Sequence, residues 1–191
     1  MTITVRRSRP EDHAAILALM DQARGDGLSP EERARRGFVQ GTMTPDLLAR
    51  LQDGPGIFVA EADSTGDLAG FAITSEPGGL PPHHPAAAAV TAVTEAADHD
   101  LGRLFLYGPV AVAPAHQGRG ILTRLLTTLS HTLKDTYDLA VAFVESTNTR
   151  SLAVHRHYAM TEAATFTLTD RTYVAFTFAP ATFAKPAPTD G

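Results

Sequence analysis

Two periods of apolar residues run through this chain, and they predict which segments are strands and which are helices. Short apolar or alternating runs are typical of strands, and they cover Thr2–Arg7, Gly56–Ala62, Leu68–Thr74, Leu104–Val112, Leu139–Val144, Ala164–Thr169 and Tyr173–Phe178. Helical spacing or helix-start signals predict helices that begin near Pro10, Ser29, Thr44, Ala86, Ile121 and Asn148. Strands and helices are interleaved, so the pattern predicts an α/β fold.

One strand and helix are joined by a glycine loop. The apolar run Leu104–Val112 stops before Pro114, and the loop His116-Gln117-Gly118-Arg119-Gly120 leads into a helix with one apolar stripe. That stripe contains Ile121, Leu122, Leu125, Leu126, Leu129 and Leu133. Glycines and unpaired amides at a helix start can present N–H groups to a phosphate, and Arg119 adds a positive charge. The loop therefore indicates an anion site, although a tight turn that merely uses two glycines has the same pattern.

The spacing of this loop differs from the two commoner phosphate loops. The chain contains no Lys-Ser or Lys-Thr, which excludes a P-loop, and Thr123 stands where a dinucleotide fingerprint needs its third glycine. The loop resembles instead the acyl-CoA loop of the GCN5-related N-acetyltransferase (GNAT) family, Gln/Arg-x-x-Gly-x-Gly/Ala. The preceding segment, Gly108–Pro114, is similar too. Leu122 departs from the family pattern, which has a small residue there.

The resemblance implies a fold and a co-substrate. The fold is a GNAT-like mixed, mostly antiparallel sheet flanked by helices. In it the glycine-loop strand and Leu139–Val144 are adjacent and parallel, and they splay apart to form the acyl-CoA cleft. The implied co-substrate is acetyl-CoA. The residues implied to bind it are Val110, Ala111, Val112, Gln117, Gly118, Arg119, Gly120, Ile121, Leu122, Asn148 and Ser151.

A second family pattern begins at Asn148. In the family an Asn starts a helix, a small residue follows three positions later, an aromatic hydroxyl residue stands at seven, and Gly-Phe closes the helix. Here Ser151, His155 and Ala159-Met160 take those places. Histidine can deliver a proton near neutral pH, so His155 is the predicted general acid toward the CoA thiolate. The alternative is that His155 only packs along the CoA arm, and Tyr158 is then the substitute acid.

The sequence predicts no general base. Some family members carry a glutamate on the strand before the glycine loop, but Leu104–Tyr107 contains no carboxylate. Glu145 and Glu76 stand at strand ends and are candidates, although each is equally a surface or capping residue. No metal site is expected, because His83, His84, His99 and His116 lack a ligand spacing with a carboxylate.

Composition narrows the class of protein and its surroundings. The chain has 191 residues, 43% hydrophobic and 19% charged, with a net charge of -5, which favours a globular protein over a disordered one. The negative charge disfavours nucleic acid and anionic membrane as partners. No cysteine is present, so disulfides and an acyl-cysteine route are excluded. The sequence shows no signal peptide or membrane span, and a cytoplasmic location is expected.

A single GNAT-like domain is expected over residues 1–180, with a Pro/Ala-rich tail over 181–191. Ser29–Leu51 is interpreted as a substrate-side cover, or alternatively as two solvated connecting helices. Glu76–Arg103 is interpreted as a loop and a short helix inserted before the central strand. Unpaired strand edges near the C-terminus make a homodimer possible.

These features together predict an N-acetyltransferase. It would transfer an acetyl group from acetyl-CoA directly to an amine of a small molecule or peptide, in a ternary complex. The alternative is a non-catalytic acyl-CoA-binding sensor or scaffold module, and a nucleotide-binding loop is a third possibility.

Overall fold

The computed structural model describes residues 2–97 and 100–184, and within them the strands form one sheet. His99 and residues 185–191 of the predicted tail lie outside the described residues. The sheet has the order β1-β2-β3-β4-β5-β7-β6. Its strands are β1 (Ile3–Arg7), β2 (Gly56–Ala62), β3 (Asp67–Ser75), β4 (Leu104–Val112), β5 (Leu139–Glu145), β6 (Thr161–Leu168) and β7 (Arg171–Phe178).

Helices cover both faces of this sheet, and each predicted helix is present. They are α1 (His13–Ala23), α2 (Pro30–Arg36), α3 (Pro45–Asp53), α4 (Pro85–Ala96), α5 (Ile121–Leu133), α6 (Thr149–His157) and α7 (Pro180–Phe183). A short 3-10 turn over Pro10–Asp12 precedes α1, and another over Pro114–His116 precedes the glycine loop. The side chains of Ser29 and Thr44 cap α2 and α3 by accepting backbone N–H groups, as these residue types do at helix starts.

The described sheet is mixed, with one parallel pair in an otherwise antiparallel order, which confirms the expected architecture. β4 and β5 run parallel, and their pairing extends only from Leu104 opposite Leu139 to Leu106 opposite Val141. Beyond this point β4 remains paired with β3, and β5 with β7. The two central strands therefore separate toward their C-terminal ends and open a cleft between them.

Alternate side chains of the strands build a core on each face. On one face α5 packs its apolar stripe against the sheet through residues such as Leu125 and Leu129, both fully buried. On the other face α1 and α3 cover β2 and β3 through Ile16 and Leu48, and α4 covers β5 and β7. The alternation is what half-buried strands require, and it sends neighbouring residues of β4 and β5 to opposite faces.

A close approach at Gly70 fixes the start of α5 against the sheet. A Cβ at Gly70 would lie 2.9 Å from the carbonyl oxygen of Ala111 and 3.1 Å from Ile121 Cγ2. The first distance is shorter than a Cβ tolerates and the second is tight, so a glycine lets β3, β4 and the first turn of α5 meet here. The position of the glycine loop relative to the cleft depends on this contact.

Ala159 occupies the place where the family pattern has glycine, and it has a φ of 52°. An L-residue in this left-handed conformation costs about 1–2 kcal/mol relative to glycine. We therefore expect Ala159→Gly to raise the free energy of unfolding by about 1 kcal/mol in urea titrations followed by circular dichroism. Ala92→Gly in the middle of α4 is the control, and it should lower stability by about 1 kcal/mol. A loss of stability in Ala159→Gly would contradict the expectation.

Candidate active site

The glycine loop has the backbone conformation that an anion site needs. Gly118 and Gly120 have φ values of 73° and 70°, and Gly120 caps the N-terminus of α5 in the left-handed region. A Cβ at either position would meet nothing within 4 Å, so the space beside the loop is open. The first amides of α5 have no helical partner and carry the positive end of the helix dipole. The loop is therefore shaped to admit a phosphate group close to the backbone.

Asn148 is the N-cap of α6 and hydrogen-bonds it to a segment distant in sequence. Its Oδ1 accepts from the backbone N–H of Ser151 at 3.2 Å, and its Nδ2 donates to the carbonyl of Phe38 at 2.8 Å. Thr149 Oγ1 donates to the carbonyl of Ala34 at 3.1 Å, and the side chain is 115 residues from its partner in sequence. Asn148 is 4% exposed. Asn148, which the sequence predicts to bind the co-substrate, thus caps α6 with Oδ1 and holds the segment after α2 with Nδ2.

Removing the two hydrogen bonds of the Asn148 side chain should lower the free energy of unfolding more than removing a helix cap alone. We expect Asn148→Ala to lower the free energy of unfolding by about 2–3 kcal/mol, since the cap is lost and the half-buried carbonyl of Phe38 loses its donor. Thr44→Ala removes only a cap bond, at the start of α3. It should cost about 1 kcal/mol. Equal losses in urea unfolding of the two variants would contradict a tie between Asn148 and Phe38.

His155 lies on α6 with its ring between aromatic side chains. Its ring centroid is 4.8 Å from that of Phe176 and 6.5 Å from that of Tyr107. Nδ1 is 2.8 Å from the carbonyl oxygen of Ser151, which can only accept, so Nδ1 carries the proton and the lone pair is on Nε2. Burial lowers the pKa of His155, although the hydrogen bond to Ser151 acts in the opposite direction. The resting imidazole is therefore neutral at neutral pH.

Two tyrosines stand near this histidine. Tyr107 is 7% exposed and follows Leu106, the last residue of β4 that pairs with β5, at the point where the parallel strands separate. Burial raises the pKa of its hydroxyl, with a smaller contribution from Tyr158, so the hydroxyl stays protonated and can donate a hydrogen bond. The hydroxyl of Tyr158 is 2.7 Å from Thr123 Oγ1 and links α6 to α5.

The two carboxylates considered as bases have different surroundings. Glu145 accepts from Thr147 Oγ1 at 2.6 Å, from Arg171 at 3.3 Å and from Gln40 Nε2, and its side chain is 12% exposed. It therefore joins the end of β5 to the segment between α2 and α3. Glu76 accepts a hydrogen bond from the hydroxyl of Tyr137 and is not among the residues that line the cavity. Glu145 is held by three donors, an arrangement suited to anchoring a segment.

A single cavity of about 1140 Å³ passes between the splayed strands. It is lined by all the residues predicted to bind the co-substrate or act in catalysis, apart from Arg119. The structure thus brings the glycine loop, the valine-rich end of β4 and the start of α6 to one cavity. These segments are separated in sequence, and the splay of β4 and β5 is what joins them.

Several lining residues were not predicted from the sequence. Tyr107 lies in a predicted strand, but no local pattern shows that β4 and β5 separate beside it. Arg35, Arg36 and Arg150 line the cavity through the contact between α2 and α6, and Leu80 and His84 reach it from the segment before α4. Their neighbours are distant in sequence, so no local pattern could place them. The segment Ser29–Leu51 does contribute to the cavity, through residues such as Val39 and Met43.

The described residues contain neither a metal-binding cluster nor a helix that could span a membrane. No group of three or more His, Asp or Glu side chains that could hold a metal ion occurs in residues 2–97 and 100–184. Within the same ranges, no helix has both the length and the apolar character needed to span a bilayer.

Comparison with known proteins gives a family match. Residues 27–159 match the family model described as "Acetyltransferase (GNAT) family", which spans more than half of the chain. No curated protein matches the sequence significantly.

Many solved structures share the fold. An N-acetyltransferase from Staphylococcus aureus is 20% identical, with 94% of this chain and 99% of that chain covered and a TM-score of 0.60. A putative acetyltransferase from Salmonella typhimurium, solved with its cofactor acetyl-CoA, is 17% identical with a TM-score of 0.58. The match covers 100% of this chain and 99% of that chain. A ribosomal-protein-alanine N-acetyltransferase from Brucella melitensis is 19% identical with a TM-score of 0.61. The match covers 92% of this chain and 99% of that chain. At these identities the likeness shows the fold.

Proposed function

Because this chain belongs to the GNAT family of acetyltransferases, whose members use acetyl-CoA, we propose that it transfers the acetyl group directly to an amine of a small molecule or peptide. The observation that carries the proposal is the continuous cavity through the sheet. It is lined on one face by the glycine loop and α6, and on the other by α1 and the start of α4. Its volume of about 1140 Å³ exceeds that of a typical single-ligand pocket, which is consistent with two substrates bound together.

The co-substrate would be held by the loop and by the two strands. The open space at Gly118 and Gly120 fits a diphosphate against the backbone. β4 has no pairing with β5 beyond Leu106 in the described sheet. The peptide groups of Val110–Val112 are therefore candidates to bind the pantetheine arm and the thioester oxygen, where positioned donors stabilise developing charge. Acetyl-CoA, when bound, supplies an activated acetyl group on sulfur.

Proton transfer is assigned to His155. Its neutral ring has the Nε2 lone pair available, because Nδ1 donates to Ser151. The neutral amine attacks the thioester carbonyl through its lone pair, and Nε2 takes the one proton that the nitrogen loses as the N–C bond forms. The same nitrogen then returns this proton to sulfur as the C–S bond breaks, so the proposed products are an amide and the free thiol of CoA. This role keeps His155 as the acid toward the thiolate and explains how a neutral histidine acquires the proton.

Initial-rate kinetics test the ternary mechanism. With acetyl-CoA and an acceptor amine varied together, double-reciprocal plots should intersect, because both substrates must be bound before either product leaves. Parallel lines, or an acetylated protein after incubation with acetyl-CoA alone, would overturn direct transfer. Binding of acetyl-CoA by titration calorimetry without release of CoA thiol on any amine of a broad panel would favour a sensor module instead.

A further inference from the structure

The face of the cavity opposite the glycine loop is an apolar groove. Its floor and walls include Leu19, Ile73, Leu80, Leu106, Val141 and Phe143. Leu106 and Val141 belong to the core under α4, whereas Ile73 and Leu19 belong to the core under α1. The groove therefore lies between α1 and α4, over the point where β4 and β5 separate. We refer to it as the acceptor groove, and this assignment rests on the proposed amine transfer.

The inserted segment before β4 supplies one wall of the acceptor groove. α4 packs against β5, β6 and β7, and its first turn and the preceding loop bring Leu80 and Ala86 to the cavity. Leu80 is half-buried against the core under α4. Residues of an insertion can change without disturbing the central strands, so this wall is suited to set acceptor specificity.

The charges around the cavity are unfavourable for a second cation on the acceptor. Among the described residues that line it, Glu145 is the one carboxylate, and Arg171 and two neutral donors already engage it. Three arginines, Arg35, Arg36 and Arg150, also line the cavity. These arginines lie at the contact between α2 and α6 and not among the apolar residues that form the acceptor groove. An additional ammonium group would lose its hydration in the groove without gaining a carboxylate partner.

We propose that the acceptor is a primary monoamine carried on an apolar body, with no second cationic group. Its apolar body lies in the acceptor groove between α1 and α4, and its nitrogen reaches the thioester through the gap between β4 and β5. Burial of the apolar body supplies the binding energy. Diamines and polyamines are disfavoured because their second ammonium group would lose its hydration in the apolar groove without finding an unengaged carboxylate among the described lining residues.

Matched alkyl amines test this proposal. Rates of acetyl transfer are measured for butylamine, hexylamine and octylamine, and for the terminal diamines of the same lengths. We expect kcat/KM for the monoamines to rise about threefold to fourfold with each added methylene until the groove is filled. Each diamine should react at least about tenfold more slowly than the monoamine of its length. Diamines that react as well as the monoamines, or a flat response to chain length, would overturn the proposal.

Two variants place the effect in the groove. Leu80→Glu introduces a carboxylate into the wall and should selectively improve the diamines, whereas Thr91→Glu adds the same charge on the exposed face of α4. Thr91→Glu should leave the preference for monoamines unchanged. If both variants shift the preference equally, the groove does not determine it and the proposal fails.

Equilibrium binding separates this proposal from the proposed activity. Titration calorimetry of octylamine and 1,8-diaminooctane into the CoA-loaded protein should show tighter binding of octylamine. That preference without any acetyl transfer would support the acceptor groove and overturn the transferase function. Acetyl transfer that shows no preference between the two amines would support the transferase function and overturn the acceptor groove.

Discussion

Replacing His155 with Phe is expected to lower kcat for acetyl transfer by about 100-fold or more, because general acid–base catalysis commonly contributes this much. The Kd of acetyl-CoA should change by less than about threefold, since phenylalanine can occupy the space between Phe176 and Tyr107. Stopped assays of CoA thiol release and titration calorimetry measure the two quantities separately. His131→Phe, on the exposed side of α5, is the control and should affect neither.

The pH dependence gives a second and independent measure of the same role. Burial holds the pKa of His155 below its ordinary value near 6.5, and only the neutral ring can take the amine proton. In the wild-type protein kcat/KM should therefore fall as the pH drops through that lowered pKa. The acidic limb from His155 should be absent in His155→Phe. An unchanged limb, or equal losses in kcat and acetyl-CoA affinity, would eliminate the proton-transfer role.

Introducing a negative charge at Gly120 should produce the largest loss of acetyl-CoA binding. Asn and Asp tolerate the left-handed φ of 70° at this position, and the space at the Cβ is open. A carboxylate a few ångströms from a diphosphate costs about 1–4 kcal/mol, so Gly120→Asp should weaken binding about 100-fold. Gly120→Asn has the same shape without the charge and should weaken binding less than about tenfold.

Gly27→Asp is the matched control for this variant. Gly27 has a φ of 82°, a Cβ there would also meet nothing within 4 Å, and the residue does not line the cavity. Its replacement should leave the Kd of acetyl-CoA unchanged in titration calorimetry at low salt. The Gly120→Asp defect should shrink at high salt, because exposed charges are screened. Equal binding by the Asp and Asn variants at low salt would show that no phosphate lies beside the loop.

Local periodicity predicted β1–β7 and α1–α6, but not α7, which begins at Pro180 where the domain was expected to end. The apolar stripe from Ile121 to Leu133 is α5, and the run Leu104–Val112 is β4 with the same bounds. β6 and β7 each begin before the predicted apolar runs, at Thr161 and Arg171. Their first residues are exposed and polar, and only pairing between the two strands extends them. Sequence periodicity reports burial, so it misses strand ends that lie on the surface.

The parallel neighbours were predicted through a resemblance of motifs. The spacing of Gln117, Gly118 and Gly120, followed by Asn148 after the next strand, indicated a fold in which β4 and β5 lie side by side and splay. The structure has this arrangement. The motif is visible in the sequence because the glycine loop and the helix cap each require particular residue types at short, fixed separations. These requirements do not depend on the rest of the sequence.

The sequence by itself thus determined β1–β7 and α1–α6, the α/β architecture and the family to which the glycine loop belongs. Only the tertiary structure decided what surrounds that loop. Asn148 is paired with Phe38 and Glu145 with Gln40, contacts between residues more than 100 positions apart. The neutral form of His155 follows from its burial beside Phe176. Such properties depend on which strands and helices contact each other in the fold, and short-range patterns of residue type do not predict contacts between distant segments.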